Sequence, residues 1–327
     1  MLGVRWLGTG RAEGAGVLDN HQLSRLVDTS DEWIVTRTGI RTRRLVHPDQ
    51  GVTDLAVQAA QQALTAAGWH PLDIELIILA TSTPDDLFGS ASLVQDRLGA
   101  KRAVAFDLTA ACSGFVYGVV TAAQFLKTGA YRRAVVIGAD VLSRWVDWQD
   151  RRTCILFGDG AGAVALAADT PDGLLGFELQ NDGSQHACLT LAYGGKPQPL
   201  LDGLTVTCGA YRSIAMNGQE VYKFAVKRVP EVIEKALFRA GLTSDQIDHF
   251  VLHQANQRIL DAVAARLGVP AARMLSNLDR YGNTSAASIP IVLDEAVRAG
   301  RIRVGQTLVL AGFGAGLTLG ALVCRWG

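Results

Sequence analysis

An internal repeat limits the possible folds of this chain more than any other feature of its sequence. In the first half, Ala67-Gly68 is followed by an acidic turn and the apolar run Ile77-Ile78-Leu79. In the second half, Ala240-Gly241 is followed by an acidic turn and the apolar run Phe250-Val251-Leu252. A helix, a glycine stop, an acidic turn and a buried strand thus recur in the same order after about 172 residues, a period too long for a solenoid.

The repeat continues into the later part of each half. A long predicted helix ending at Gly129 is followed by an apolar strand over 134–138, and a second one ending at Gly300 is followed by a strand over 307–311. Each half then closes with a glycine-rich turn and a last strand. Continuous apolar strands that alternate with helices are typical of sheets covered on both faces.

We therefore predict a duplicated α/β fold, with two pseudo-equivalent halves related by a twofold axis. The N-terminal half would span residues 1–172 and the C-terminal half residues 173–327. Two unrelated α/β halves are the alternative.

Composition excludes several functional classes. The 327 residues are 49% hydrophobic, and 31 basic residues balance 31 acidic ones, so nothing favours binding to nucleic acid or to a membrane surface. The first ten residues are too interrupted for a signal peptide, and no apolar run reaches the ~18 residues of a membrane span. Five scattered cysteines without a CxxC pair favour a reducing cytoplasm and argue against zinc.

Cys112 is the candidate nucleophile. It lies in Ala110-Ala111-Cys112-Ser113-Gly114, between a predicted strand over 103–108 and a predicted helix that contains Tyr117 and Val120. Small residues on both sides are typical of a nucleophile elbow. The helix dipole would lower the pKa of this thiol and favour the thiolate that attacks a thioester carbonyl. A buried, unreactive cysteine is the alternative.

His253 directly follows the predicted strand over 250–252. Open α/β sheets place functional side chains at the carboxyl ends of such strands. His249 lies four residues earlier, but on a strand rising ~3.3 Å per residue the two rings would be about 13 Å apart. We therefore predict no metal pair, and a structural histidine is the alternative.

Asn283 is the third candidate. It lies in the segment 281–288 and falls opposite Cys112 in the repeat, each at the start of the long helix of its half. Two equivalent helix starts would meet near the internal axis, in the layer that also holds His253. We expect these three side chains to converge on one pocket, although an N-cap is the alternative role for Asn283.

The glycine-rich segment 312–316 could present backbone N–H groups to an oxyanion. A nucleotide-binding loop is excluded here and at 158–162, because each segment leads into a predicted strand and not into a helix.

Together these motifs resemble the thiolase superfamily, and most closely the β-ketoacyl-acyl-carrier-protein synthase III family. The similarity covers almost the whole chain. The matching stretches are 28–40, the cysteine elbow, 157–163, 253–258 and 282–285. The first and the fourth of these are specific to this family.

The resemblance implies a thiolase-like, five-layered αβαβα fold and a homodimer. It implies that Cys112 accepts the acyl group of an acyl-CoA, with acetyl-CoA as the expected primer. His253 and Asn283 would then assist decarboxylation of malonyl-acyl carrier protein, giving a 3-oxoacyl-acyl carrier protein and initiating fatty acid synthesis. The backbone N–H groups of Cys112 and Ala315 would form the oxyanion hole. No cofactor is implied, since both acyl carriers are substrates.

The residue types suit this chemistry independently of the resemblance. Decarboxylation builds negative charge on the thioester oxygen, and neutral donors such as a histidine and an asparagine can stabilise that charge. A carboxylate at the same place would repel the malonyl group.

The resemblance also implies two sets of binding residues. Those expected to bind CoA or the acyl substrate are Thr29, Trp33, Arg37, Phe88, Arg151, Phe157 and Asn256. Those expected to bind the acyl carrier protein are Lys223, Gln254, Ala255, Asn256, Gln257 and Arg258. Trp33 and Arg37 match positions that clamp the adenine, and Phe88 matches one that reaches the partner's acyl pocket.

Related enzymes differ at positions visible in the sequence. A degradative thiolase would need a second cysteine within 312–316, and an elongating synthase would need a histidine in place of Asn283. A hydroxymethylglutaryl-CoA synthase would need a glutamate after 77–79. The sequence has none of these residues. Synthases of the same type that serve secondary metabolism share the three residues and stay open as an alternative; they perform polyketide or quinolone starter condensation, or acyl transfer. A non-catalytic subunit that binds carrier protein is a more distant alternative.

Overall fold

Two five-stranded sheets with the same strand order form the centre of the molecule. The structure, a computed structural model, describes residues 2–327. The helices and strands of the first half are β1 (Gly3–Glu13), β2 (Gly16–Asp19), α1 (Asn20–Leu23), α2 (Asp31–Thr38), β3 (Thr42–Leu45), α3 (Val52–Ala67), β4 (Leu76–Ala80), α4 (Ala91–Leu98), β5 (Val104–Leu108), α5 (Gly114–Thr128), β6 (Arg133–Val141), α6 (Arg151–Cys154) and β7 (Asp159–Asp169).

The second half repeats this order with different insertions. Its elements are β8 (Leu174–Asn181), β9 (Leu189–Thr190), β10 (Tyr193–Leu201), β11 (Leu204–Tyr211), β12 (Ala215–Met216), α7 (Gly218–Ala240), β13 (His249–Leu252), α8 (Gln257–Leu267), β14 (Met274–Leu275), α9 (Leu278–Tyr281), α10 (Ser288–Arg298), β15 (Thr307–Gly314) and β16 (Thr318–Arg325). The predicted boundary at residue 172 falls in the connection between β7 and β8, and the division there stays a prediction.

The strand topology confirms the predicted duplication. The first sheet has the order β1-β7-β6-β4-β5, and the second has the order β8-β16-β15-β13-β14. In both sheets the first two pairs are antiparallel and the last two are parallel. Each strand of one sheet therefore has a counterpart at the same place in the other.

The helices complete a five-layered arrangement. α5 and α10 contact strands of both sheets and form the central layer. α3 and α4 cover the outer face of the first sheet, while α7 packs on the outer face of the second sheet with α8 beside it. Separate apolar clusters fill the space on either side of each sheet, which explains why the strands are continuous apolar runs.

The glycine-rich segments lie mainly in strands, whereas the sequence predicted turns. β7 already begins at Asp159, and β15 continues to Gly314. The glycines are needed because the central helices and turns approach these strands closely. A Cβ atom on Gly162 would lie 2.7 Å from the Cβ of Pro290, and one on Gly314 would lie 2.5 Å from the backbone nitrogen of Cys112.

Each half carries an insertion between its first strand and its first long helix. In the first half the insertion contains β2, α1, α2 and β3, and in the second it contains β9 to β12 with the exposed β10–β11 hairpin. Within residues 2–327, no helix is both long and apolar enough to cross a bilayer.

Candidate active site

Cys112 lies in a short 3-10 turn, Ala111–Ser113, between the end of β5 and the start of α5. The turn is strained, since Ala111 has a φ of +47°. The turn also contacts the second sheet at β15, so it sits at the junction of the two halves. Cys112 is buried, with 8% of its surface exposed.

The thiol of Cys112 has a raised pKa, whereas the sequence predicted a lowered one. Burial raises it to about 12, a hydrogen bond from the Ser285 side chain lowers it in part, and the nearby Asp140 carboxylate raises it further. A helix terminus contributes about 0.3–1 kcal/mol, and one pKa unit corresponds to about 1.4 kcal/mol. The dipole of α5 is therefore too weak to offset burial.

His253 directly follows β13, as the sequence predicted, and is 2% exposed. Its Nδ1 lies 2.8 Å from the hydroxyl of Ser288, and its ring packs edge-on against Phe313 with centroids 5.2 Å apart. Burial lowers the pKa of His253 to about 3, and the backbone of Ser285 offsets only part of this. The imidazole is therefore neutral near pH 7.

The backbone of Asn283 is held by two hydrogen bonds to the segment before β7. Its N–H donates to the carbonyl of Leu156 at 2.9 Å, and its carbonyl accepts from the N–H of Gly158 at 3.0 Å. Gly282 allows this approach, because its φ is +65° and a Cβ there would lie 2.7 Å from the Leu156 oxygen.

The side-chain oxygen of Asn283 accepts a hydrogen bond from the N–H of Ser285 at 2.9 Å. The oxygen of the amide is therefore occupied within its own turn, which leaves the Nδ2 hydrogens to donate elsewhere.

Cys112, His253 and Asn283 line one cavity, so the structure brings the three candidates together. The rest of the lining is largely apolar and includes Leu156, Phe157, Leu189, Met216, Phe224, Phe313 and Leu317. Such a cavity lets a thioester enter while excluding much of the water around the polar groups.

The repeat register differs from the predicted one by one turn. The turns Ala111–Ser113 and Ser285–Ala287 precede α5 and α10, and each begins with a positive φ. This equivalence places Ala286, and not Asn283, opposite Cys112. Asn283 still reaches the cavity because the two turns contact each other at the internal axis.

The oxyanion role expected of the Ala315 backbone N–H stays a prediction. Ala315 lines a second cavity, together with Ala110, Ala111 and Thr318. Gly314 lines the Cys112 cavity and lies against the Cys112 nitrogen. The glycine-rich segment therefore lies beside the Cys112 turn.

Three of the residues expected to bind CoA form one cluster on the surface. The guanidinium groups of Arg37 and Arg151 lie 4.8 Å and 4.9 Å from the ring centre of Trp33. Arg151 also donates to the carbonyl of Asp28 at 2.7 Å. Thr29 follows Asp28 in the sequence, and its buried hydroxyl has no hydrogen-bond partner among the residues that the structure describes.

Phe157, Asn256 and Phe88 have different surroundings. Phe157 and Asn256 line the cavity with Cys112, and the Asn256 side chain both caps α8 and donates to the carbonyl of Arg37 at 3.0 Å. Phe88 does not reach this cavity within the same chain. It is fully exposed beside the second cavity, so its expected contact with a partner's acyl pocket stays a prediction.

The residues expected to bind the carrier protein divide into two groups. Arg258 and Lys223 are exposed, although Lys223 pairs with Glu220 at 2.8 Å. Ala255 and Gln257 are partly exposed. Gln254 is fully buried, and its amide donates to the Leu252 carbonyl and accepts from Ser276. The side chain of Gln254 therefore supports this segment from inside and cannot contact a docked protein.

Sequence reasoning missed Asp140, Ser285 and Ser288, which surround the site. Asp140 is fully buried at the end of β6. A carboxylate at the end of the apolar run over 134–139 was a signal that could have identified it, since buried carboxylates need a purpose. Within residues 2–327, no group of three or more His, Cys, Asp or Glu side chains could hold a metal ion.

A duplicated five-layered fold with a cysteine, a histidine and an asparagine in one cavity defines a thiolase-like enzyme. The family model of 3-oxoacyl-acyl-carrier-protein synthase III matches residues 106–183. The model of the C-terminal part of this family matches residues 237–326. A β-ketoacyl-acyl-carrier-protein synthase III of Nostoc sp. is 60% identical, covering 100% of this chain and 99% of the relative. The chain belongs to the β-ketoacyl-acyl-carrier-protein synthase III family.

Solved structures agree with this assignment. A 3-oxoacyl-acyl-carrier-protein synthase III from Aquifex aeolicus has a TM-score of 0.91 and 42% identity, covering 99% of this chain and 100% of that one. A priming β-ketosynthase from the R1128 polyketide biosynthetic pathway has the same TM-score at 34% identity, covering 99% and 96%. The fold is thus shared by both kinds of enzyme, while the higher identities favour the synthase III of fatty acid synthesis.

Proposed function

We propose that this protein initiates fatty acid synthesis by condensing an acyl-CoA primer, with acetyl-CoA expected, with malonyl-acyl carrier protein. The observation that carries the proposal is the single cavity shared by Cys112, His253 and Asn283. In the first half-reaction the sulfur of Cys112 attacks the primer carbonyl. The carbon–sulfur bond to CoA breaks, and CoA leaves as a thiol with the proton that Cys112 gives up.

In the second half-reaction malonyl-acyl carrier protein loses carbon dioxide, and negative charge develops on its thioester oxygen. A neutral His253 and the Nδ2 hydrogens of Asn283 are suited to donate to that oxygen. The carbanion carbon then attacks the acyl group on Cys112. A 3-oxoacyl-acyl carrier protein leaves, and the thiolate is reprotonated. No step requires a cofactor, since each bond that forms or breaks belongs to a substrate or to Cys112.

The partners of the reaction are part of the same proposal. The Trp33, Arg37 and Arg151 cluster supports a site for the adenine of CoA, because guanidinium groups and an indole can stack on a flat base. Exposed Arg258 near the cavity mouth supports docking of an acidic acyl carrier protein.

We further propose a homodimer in the cytoplasm. The exposed edge strand β5 and the neighbouring side chains of Leu87 and Phe88 support the dimer. Five cysteines without a disulfide support the cytoplasmic location.

Intact-mass spectrometry after incubation with acetyl-CoA tests the nucleophile. We expect the wild-type protein to gain one acetyl group and Cys112→Ser to gain none, because a serine hydroxyl is a far weaker nucleophile here. Cys208→Ser is the matched control, since Cys208 is the exposed cysteine most open to non-specific acylation. An adduct that persists in Cys112→Ser, or disappears in Cys208→Ser, contradicts the assignment. A panel of longer and branched acyl-CoA primers then defines the natural primer.

A further inference from the structure

Asp140 is a fully buried carboxylate that joins the two halves of the molecule next to the cavity. Its Oδ1 accepts from the N–H of Ser82 at 2.8 Å and from the hydroxyls of Thr81 and Thr83 at 3.2 and 3.0 Å. Its Oδ2 accepts from the N–H of Ala286 at 3.2 Å. One oxygen therefore binds the loop after β4 in the first half, and the other binds the turn before α10 in the second.

These four partners all act as donors. Burial raises the pKa of Asp140, and a hydrogen bond from the Ser285 side chain offsets part of this. The Thr81 hydroxyl accepts from the N–H of Thr83, and the Thr83 hydroxyl accepts from the N–H of Val141, so the proton of each hydroxyl is directed to Asp140. Among residues 2–327, Asp140 forms no ion pair that would otherwise account for a buried carboxylate. The role of Asp140 in the fold is therefore to hold these hydrogen-bond donors in place.

The turn bound by Oδ2 is the one that orients Asn283. Ser285 has a φ of +50°, which a serine adopts only when its surroundings enforce it. Its N–H donates to the side-chain oxygen of Asn283 at 2.9 Å, and Ala286 is the next residue. A bond that holds Ala286 therefore also fixes the direction of the Ser285 N–H, and with it the face that the Asn283 amide turns to the cavity.

We propose that Asp140 is a positioning residue, which acts through the Ser285–Ala286 turn to hold the Asn283 amide in the orientation needed for decarboxylation. The inference rests on the proposed function. Asp140 does not contact substrate, and through the turn it acts on the half-reaction in which Asn283 donates. Its charge also raises the pKa of Cys112, so the effect of the turn is seen as a selective loss of decarboxylation.

Asp140→Asn separates the two roles of this carboxylate. An amide has one acceptor, and three of the four donors converge on the position of Oδ1. The oxygen of the new amide therefore takes that position, and its NH2 group faces the N–H of Ala286. The substitution keeps the bonds to the first half and removes the bond from the Ala286 N–H.

The experiment measures both half-reactions in the same variants. Transfer of label from acetyl-CoA to Cys112 is compared with carbon dioxide release from malonyl-acyl carrier protein. We expect Asp140→Asn to lower carbon dioxide release on the order of ten- to a hundredfold, because a displacement of about 1 Å has effects of this size. Acetyl transfer should not fall by more than about threefold, the lower end of the effect of one hydrogen bond, because removal of the Asp140 charge favours the Cys112 thiolate.

A double variant tests the route through Asn283. Asn283→Ala should by itself lower carbon dioxide release about 10²–10³-fold, as expected for one lost donor. Adding Asp140→Asn should then lower it no further, because residues that act as a unit are not additive. Multiplied losses, or equal losses in both half-reactions of Asp140→Asn alone, would overturn the inference.

Asp294→Asn is the matched control for a buried carboxylate. Asp294 is equally buried, but it pairs with Arg11 and Arg298 away from the turn. The Asp294→Asn substitution should reduce thermal stability without lowering the rate of one half-reaction more than that of the other.

If Asp140→Asn does not fold, Ala286→Gly loosens the same turn without altering a polar group. We expect Ala286→Gly also to lower carbon dioxide release more than acetyl transfer. Equal rate losses in the two half-reactions of Ala286→Gly would also overturn the inference. A wild-type protein that performs neither half-reaction refutes the proposed function itself, and the inference with it. Normal decarboxylation by Asp140→Asn beside an active wild type refutes the inference alone.

Discussion

Burial determines the charge of the two titratable groups in the cavity. It raises the pKa of Cys112 to about 12 and lowers that of His253 to about 3, because each charged form loses its hydration. The resting site therefore holds a neutral thiol beside a neutral imidazole. A neutral imidazole suits an enolate, since it can donate a hydrogen bond without delivering a proton to the carbanion carbon.

The pH dependence of thiol alkylation tests this assignment. Below the pKa of a thiol, its thiolate fraction rises tenfold per pH unit. A raised pKa therefore makes the alkylation rate increase throughout the neutral pH range. We expect the rate of Cys112 alkylation by iodoacetamide to rise with a log–log slope of about one between roughly pH 6 and 9. The measurement uses a Cys188→Ser/Cys208→Ser background, which removes the two more accessible thiols. A plateau near neutral pH would instead show a low pKa.

At the scale of single elements, short segments at the ends of strands carry the functional groups. The 3-10 turns before α5 and α10 bring Cys112 and the Asn283 turn together, and glycines in β15 permit that approach. α8 begins beside the cavity at Gln257, and the Arg258 guanidinium lies 5.6 Å from the ring of Tyr222. We therefore propose this helix start as the place where a carrier protein docks and delivers its thioester to the cavity.

Arg258→Glu tests that docking role. We expect the apparent KM for malonyl-acyl carrier protein to rise about tenfold at low salt and the KM for acetyl-CoA to change little, because an interface charge acts on encounter with an oppositely charged partner. The effect should shrink as salt is added. Arg266→Glu is the control, since Arg266 is also exposed on α8 but lies at the helix end remote from the cavity. An equal rise in both KM values would identify Arg258 as part of the CoA site instead.

At the scale of the whole molecule, the two sheets leave several edges open, and one of them lies beside exposed apolar side chains. β5 is an edge strand, Val104 on it is 48% exposed, and the side chains of Leu87 and Phe88 beside it are 76% and 104% exposed. An unpaired edge next to such a patch is a typical place for a partner strand to bind.

A double substitution, Leu87→Asp with Phe88→Asp, should therefore give a monomer. We expect light scattering to show half the mass of the proposed wild-type dimer, because two carboxylates cannot be buried unpaired in an apolar interface. The melting temperature of each chain should change little, since both side chains make few contacts within it. Phe238→Asp, at an equally apolar and 85% exposed site on α7, should remain dimeric. A dimeric double variant would place the interface elsewhere.

The sequence by itself determined the duplicated α/β fold and the three candidate residues. Local apolar runs and glycine stops indicate the order of the strands and helices. Cys112, His253 and Asn283 each lie at a recognisable strand end or helix start. Only the tertiary structure decided the rest, because the rest depends on contacts between segments far apart in the chain. Burial from both halves reversed the expected pKa change of Cys112. Packing of the Ser285 turn against the Cys112 turn set the true repeat register, and the sequence did not predict the close approach of Gly314 to the Cys112 backbone. The link from Asp140 to Ala286 joins residues from opposite halves, and no local pattern in the sequence reports such a contact.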